Sequence, residues 1–345
     1  MDNKTLTALK GVKVGHSTHP DKLTGCTVIL FDKPLPMVSK SYGGSPGTFN
    51  TDALQNGKSD FYGHGIFVAG GSWTGLMAGG EILNTLIDKG IGFKSHDIIN
   101  PNITGAVVYD LGTYIEKFKP EYGREAVENA TYEPVRNGNV GAGTGTKAGG
   151  FSFTKDVKRL SMKTGVGSSL ITLKGGIKIA AISVVNCNGN VVLPDGKILA
   201  GNRHDTNDFP FRTFEGVSDF LVRDEMNTTI SIVGVNIDLT TRENYEQIAH
   251  VASHGQIRAI NPVNQSVDGD TVFVFSTEEI KDFLSPLGKT IVKNDWSKLS
   301  VDIVGQAAAK AVQESIYDAC YKAESIEFES AYKGVIPSAK DYPSK

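Results

Sequence analysis

Cysteine is scarce in this chain. Only Cys26, Cys187 and Cys320 occur, odd in number and far apart, which argues against a disulfide framework or a CxxC metal site and leaves buried free thiols as the expectation. Long apolar runs are missing as well. Nowhere do eighteen apolar residues follow one another, and Met1 to Lys10 has no apolar stretch of the kind a secretion signal carries, so neither a membrane span nor export is expected and the cytoplasm is the default location. Charge of one sign is not in excess: 35 Lys and Arg stand against 38 Asp and Glu, a formal net charge of -3. That gives no electrostatic ground for nucleic acid or an anionic membrane as partner and leaves small neutral substrates open. Repeats, low-complexity tracts and coiled-coil patterns are absent too.

What is present suits a full core. Of the 345 residues, 39% are hydrophobic and 21% charged, close to soluble globular averages, and without a linker residues 1–345 are expected to form one large domain. The 39 glycines cluster between short apolar runs, which is strand-and-turn punctuation. Val12 to Val14, Thr27 to Leu30, Ile66 to Ala69, Ala106 to Tyr109, Ile177 to Asn186, Thr229 to Val235 and Thr271 to Phe275 read as strands. Thr74 to Lys89 reads as a helix, as do Leu239 to Ile260, with Ile248, Val251, Ala252 and Ile257 at helical spacing, and Val301 to Ala323. Strands come as much in pairs as in βαβ units, which predicts an α+β sandwich with helices covering two sheets.

The most informative local feature is Met226-Asn227-Thr228-Thr229-Ile230, a polar triplet directly before a buried-looking strand. A hydroxyl is a weak nucleophile until a base takes its proton, and an N-terminal threonine carries its own α-amine for that task. Such an amine has an unperturbed pKa of about 7.7 to 8.0, so much of it is neutral near neutral pH. Exposing it requires cutting the Asn227–Thr228 bond, and the same hydroxyl can do so by attacking the Asn227 carbonyl. Taken alone, Asn-Thr-Thr reads more readily as a plain turn. Asp268-Gly269-Asp270 before Thr271 to Phe275 can orient a hydroxyl and hold a protonated amine, and crowding can leave the two acids sharing a proton; alone it reads as an Asp-Gly turn. An Asp-x-Asp metal site lacks the rest of a calcium-loop pattern. His250 and His254 lie one helical turn apart without a zinc-protease motif, so no metal is expected. Gly141 to Thr146 matches no phosphate-loop pattern and reads as a tight turn. Gly70-Gly71-Ser72-Trp73-Thr74-Gly75 misses a Gly-x-Ser-x-Gly elbow by one residue, which makes Ser72 a second candidate nucleophile.

Together the motifs resemble the DmpA-like aminopeptidases (L-aminopeptidase/D-amidase/D-esterase), a group that includes the nylon-oligomer endo-hydrolase. The likeness runs in order through Val14-Gly15-His16-Ser17-Thr18, Thr24-Gly25-Cys26-Thr27-Val28, Gly43-Gly44-Ser45-Pro46-Gly47-Thr48, Gly70-Gly71-Ser72 with Gly75-Leu76, and Ala106-Val107-Val108-Tyr109-Asp110. It continues through Gly141-Ala142-Gly143-Thr144-Gly145, Val185-Asn186, Asn227-Thr228-Thr229-Ile230 and Asp268-Gly269-Asp270-Thr271. The resemblance implies an αββα four-layer sandwich, self-cleavage into chains 1–227 and 228–345, and assembly of the processed αβ units as a homo-oligomer, commonly a tetramer. Thr228 is then the nucleophile, Asp268 and Asp270 the acidic pair that positions it, Asn186 the oxyanion donor, worth on the order of 3 kcal/mol, and Tyr109 an aromatic beside the substrate. Asn-Thr at the junction sides with the nylon-hydrolase members. One departure stands out: relatives carry a lysine just after the glycine-rich turn, where ungapped alignment places Gly150, and Lys147 lies three residues earlier as a substitute.

The implied activity is hydrolysis of amide bonds through an acyl ester on Thr228, with no cofactor. Substrates are short peptides or amides, or linear 6-aminohexanoate oligomers. Acyl transfer of the ornithine-acetyltransferase kind is the alternative reaction, and an uncleaved ligand-binding protein the non-catalytic one.

Overall fold

Strand after strand in this chain buries both of its faces, and that double burial sets the layering. The computed structural model of the protein describes residues 3–59, 61–150, 160–203, 211, 227–281, 300–328 and 334–342. Nine strands form one hydrogen-bonded path: β1 (Val12–His19), β2 (Thr24–Ser41), β3 (Thr48–Phe49), β4 (Tyr62–Ala69), β5 (Ile103–Val107), β6 (Val166–Leu173), β7 (Ile177–Asn186), β8 (Thr228–Ile237) and β9 (Thr271–Ile280). Their order is β6-β7-β8-β9-β2-β4-β5-β3, with β1 paired to β2.

Strand β2 divides the path into two sheets. Its first half pairs with β1 and with Gly65–Ala69 of β4, whereas Met37–Ser41 pair with β9, and the register to β4 lapses between Leu30 and Leu35. Side chains alternate across a strand, and here alternate residues enter different cores. Ile66, Val68, Ile182, Val184, Ile230, Ile232, Phe273 and Phe275 meet between the sheets. Phe67 and Ala69 face the other way, toward Ala78, Ile82, Tyr122 and Ala126 of helices α1 (Met77–Asp88) and α2 (Glu121–Glu128). Ala181, Val185, Val233, Val272 and Val274 face Ile248, Ala252, Val304 and Val312 of α3 (Arg242–Ala259) and α4 (Val301–Lys322). The result is the expected α+β sandwich of four layers, α-β-β-α. Continuous apolar runs in β7 and β8 are what such doubly covered strands require.

The helix boundaries follow local chemistry. The Thr241 hydroxyl accepts the Asn244 N–H, and the Ser300 hydroxyl accepts the Asp302 N–H, so α3 and α4 start on side-chain caps. Ile257 departs from expectation. Ile248, Val251 and Ala252 are buried, but Ile257 is 51% exposed, because nine positions past Ile248 is about two and a half turns and therefore the opposite face. Tyr109, read from sequence as the end of a strand, lies two residues past the end of β5. Cys26, Cys187 and Cys320 are buried free thiols, and no described helix is long and apolar enough to cross a membrane.

Candidate active site

Four strand ends converge at one edge of the second sheet. Strands β8 and β9 are parallel, with Ile230 opposite Thr271, so both begin at the same edge. Strand β7 is antiparallel to β8 and ends there, with Asn186 opposite Thr228. Strand β2, antiparallel to β9, also ends there, with Ser41 opposite Thr271. The turn after it packs over residues 265–270: Tyr42 N–H donates to the Asp270 carbonyl at 2.8 Å, and Ser45 N–H to the Asp268 carbonyl at 2.9 Å. Parallel pairing thus brings Asn227-Thr228 and Asp268-Gly269-Asp270 together although some forty residues separate them.

Thr228 is the first residue of β8 and is 5% exposed. Its hydroxyl donates to the carbonyl oxygen of Asn227 at 2.6 Å. The same oxygen accepts the Gly269 N–H at 2.8 Å. Glycine is required at 269, because a Cβ there would meet Thr228 Oγ1 at 2.7 Å. The carbonyl before Thr228 is therefore polarised by a fixed backbone donor while a hydroxyl lies against it, the arrangement that oxyanion chemistry uses.

The acidic pair is buried and anchored. Asp270 Oδ1 accepts the Thr229 N–H at 2.6 Å, and Oδ2 accepts the Asn264 N–H at 2.9 Å. Asp268 Oδ2 accepts the Gln265 N–H at 2.8 Å. Burial, and then the charge of Asp268, push the Asp270 carboxyl well above the usual carboxylate range. Two such neighbours share a proton instead of both ionising.

On the other side of Thr228, Asn186 is fully buried. Its Oδ1 accepts the Lys147 N–H at 3.1 Å and its Nδ2 donates to the Tyr109 carbonyl at 2.9 Å, which leaves the second hydrogen of the amide for another acceptor. Tyr109 is half-buried, with its ring edge-on to Tyr114 at 5.5 Å. Strand register and hydrogen bonds, several of them through backbone groups, thus bring Asn227, Thr228, Asp268, Asp270, Asn186 and Tyr109 to one strand edge. The Lys147 backbone N–H bonds to Asn186 at the same edge.

The glycine-rich turn shows how Gly150 and Lys147 are placed. A Cβ at Gly150 would meet Asn227 Oδ1 at 2.6 Å, so a side chain there requires the Asn227 amide to shift. Lys147 and Lys163 lie opposite each other in a short antiparallel pair, both buried. The Lys163 ammonium donates to the Gly143 carbonyl at 2.8 Å and to that of Thr164. Burial brings its pKa down to about 7, opposed by the charge of Asp110. Sequence reasoning missed Lys163. Its only signal was a lone cation in the otherwise apolar and glycine-rich stretch Met162-Lys163-Thr164-Gly165-Val166. Asp110 is also fully buried; it accepts the Thr24 hydroxyl at 2.7 Å and the Gly71 N–H at 3.0 Å, and burial raises its pKa to about 6.

Ser72 sits apart from this chemistry. It follows Gly71 in a turn, with φ of 54°, and its N–H donates to the Val108 carbonyl at 3.0 Å. His250 and His254 meet edge to face on α3, with ring centroids 5.3 Å apart, and the described residues hold no cluster of three or more potential metal ligands. Met226 lies outside the described residues.

A strand-end hydroxyl on a four-layer α-β-β-α sandwich defines an N-terminal-nucleophile type of architecture. The comparisons agree: the chain covers 97% of its length against the L-aminopeptidase D-Ala-esterase/amidase of Ochrobactrum anthropi, and 91% of that chain, with a TM-score of 0.64 at 19% identity. That structure is described as a variant of the Ntn hydrolase fold. The chain belongs to peptidase family S58, whose model matches residues 4–333. It is 28% identical over 359 residues to an uncharacterized aminopeptidase of Mycobacterium leprae, covering 97% of this chain and 95% of the relative. It is 29% identical over 283 residues to the 6-aminohexanoate-oligomer endohydrolase of Paenarthrobacter ureafaciens, covering 78% and 74%. The chain is an amide hydrolase.

Proposed function

We propose that this hydrolase cuts itself between Asn227 and Thr228 and then uses Thr228 as an N-terminal nucleophile. The observation that carries the reading is the Asn227 carbonyl, held by the Gly269 N–H at 2.8 Å with the Thr228 hydroxyl 2.6 Å away. In maturation, Thr228 Oγ1 attacks the Asn227 carbonyl carbon and the C–N bond breaks. The hydroxyl proton ends on the Thr228 nitrogen, with the Asp268/Asp270 pair as the nearby proton store. Water then opens the ester, releasing the Asn227 carboxylate and a free Thr228 amine. In turnover, that amine takes the hydroxyl proton as Oγ1 attacks a substrate amide and passes it to the leaving amine. Water releases the acyl group as an acid. Asn186 offers its remaining amide hydrogen to the oxyanion.

The natural substrates are short peptides or amides, and linear 6-aminohexanoate oligomers are a promiscuous class, supported by the Asn-Thr junction and the endohydrolase relative. The processed units assemble as a homo-oligomer, a tetramer by family resemblance, and the buried free thiols suit a reducing cytoplasm.

Intact mass under denaturing conditions tests the central claim. Wild type incubated overnight is expected to give two fragments meeting at Asn227/Thr228, and Thr228→Ala only the 36.9 kDa chain. Uncut wild type ends this reading. Release of acyl product without an added amine acceptor separates hydrolysis from acyl transfer.

A further inference from the structure

In the uncut chain, the acyl half of the scissile bond is Asn227 itself. Its side chain is fully buried in a recess with defined walls. One wall is Gly150, where even a Cβ would stand 2.6 Å from Oδ1 and 2.8 Å from Nδ2. Another is Asn188, 2% exposed, whose Oδ1 accepts the Asn227 Nδ2 at 3.3 Å. The Asn188 Nδ2 is committed to Gln265 Oε1, which fixes the acceptor side of Asn188 toward the recess. Gln265 in turn is tied through its N–H to the Asp268 carboxylate. The recess is therefore rigidly connected to the acidic pair.

Self-cleavage and turnover pass through the same kind of ester on Thr228 Oγ1. In the first the acyl group is Asn227, and in the second it belongs to the substrate. An acyl group bound to the same oxygen, with its carbonyl in the same donor field, places its side chain where that of Asn227 now lies. We propose that the Asn227 recess is the acyl-side subsite of the processed enzyme, that Asn188 is its specificity-determining residue, and that it selects acyl residues carrying a short carboxamide side chain. This rests on the self-processing reading above and adds the acyl preference to it. Asparagine satisfies the Asn188 acceptor. Aspartate sets oxygen against oxygen, and leucine leaves the buried acceptor without a donor.

The experiment uses enzyme shown by mass to be in two chains and compares kcat/KM for the p-nitroanilides of L-asparagine, L-aspartate and L-leucine. The asparaginyl substrate is expected to lead both others by about tenfold or more, the scale of one buried hydrogen bond and its unmade counterpart. Asn188→Asp, which keeps the acceptor and adds a negative charge, is expected to shift preference toward an acyl group with a short ammonium side chain, the 2,4-diaminobutyryl anilide. That gain does not arise from misfolding. Gly150→Ala narrows the recess and is expected to depress the asparaginyl substrate most. A processed enzyme with equal rates across the series, or with leucine ahead, overturns the subsite while the nucleophile stands. A chain that stays uncut and inactive overturns the nucleophile, and the subsite with it.

Discussion

Two strand-end hydroxyls in this molecule are candidate nucleophiles, Thr228 first and Ser72 second, and their surroundings separate them further. Ser72 leaves β4 through a glycine turn, half-buried, with its backbone N–H spent on Val108. Thr228 enters β8 buried to 5% exposure, with a carbonyl acceptor in reach, a backbone donor on that carbonyl and two carboxyls anchored beside it. The nearest analogue at the first turn is Asp110, which accepts the Gly71 N–H and the Thr24 hydroxyl and so braces the turn. A hydroxyl on a tight turn needs one local segment, whereas a hydroxyl, a backbone N–H donor and two carboxyls gathered around one bond require several chain segments to meet.

Breaking that assembly ranks the expected effects. Thr228→Ala is expected to abolish self-cleavage and to lower turnover by roughly 10⁴-fold or more, read by intact mass and by anilide hydrolysis. Asp270→Asn comes next. One of the two N–H groups now facing a carboxylate oxygen then faces an amide NH₂, and the proton store is halved. Self-cleavage is expected to slow by roughly 10² to 10³-fold in a gel time course, and an unchanged rate assigns the pair a purely structural role. Gly269→Ala pushes a methyl against Thr228 Oγ1, with about tenfold slower processing expected by the same assay.

Lys163 sharpens the comparison through stability. Burial lowers its folded-state pKa from 10.5 to about 7, so between those values the unfolded chain holds a proton that the folded chain lacks. Stability from this group is therefore complete above the unfolded value, rises with pH across the window and is lost as pH falls through about 7. Lys163→Met is expected to flatten the rise in urea midpoint between about pH 7 and pH 10, and an equal rise in both proteins refutes the assignment. Smallest of all, Ser72→Ala is expected to process and turn over as wild type, with stability changed by no more than about 0.5 kcal/mol. Loss of processing in that variant reverses the ranking of the two hydroxyls.

Much of the fold was legible. Ile177–Asn186 has the bounds read from its β-branched run, and Val301–Lys322 those read from its Ala-rich faces to within one residue. Strand β6 was not legible, because Val166-Gly167-Ser168-Ser169 is small and polar, and its burial comes from lying under α4. Helix α2 was hidden by its polar composition, only Tyr122, Ala126 and Val127 marking the buried face. Strand β2 looked short because Pro34 and Pro36 interrupt it, and the structure uses that interruption to change partners. At the site, Thr228, Asp268, Asp270, Asn186 and Tyr109 were named from motifs. Lys163 was not, since a buried lysine carries no periodic signature and one of its two carbonyl acceptors, that of Gly143, lies twenty residues away.

By itself, then, the sequence determined most of the strands and the three long helices, because side-chain periodicity and turn chemistry act over a few residues. It also determined which residue types can do amide chemistry. Tertiary structure alone decided that β8 and β9 run parallel in register and so place Gly269 on the Asn227 carbonyl, and that Gly150 opens a recess for Asn227. It likewise decided that burial sets the protonation of Asp270 and Lys163. Each of these depends on distances between residues far apart in the chain, and local sequence carries no term for them.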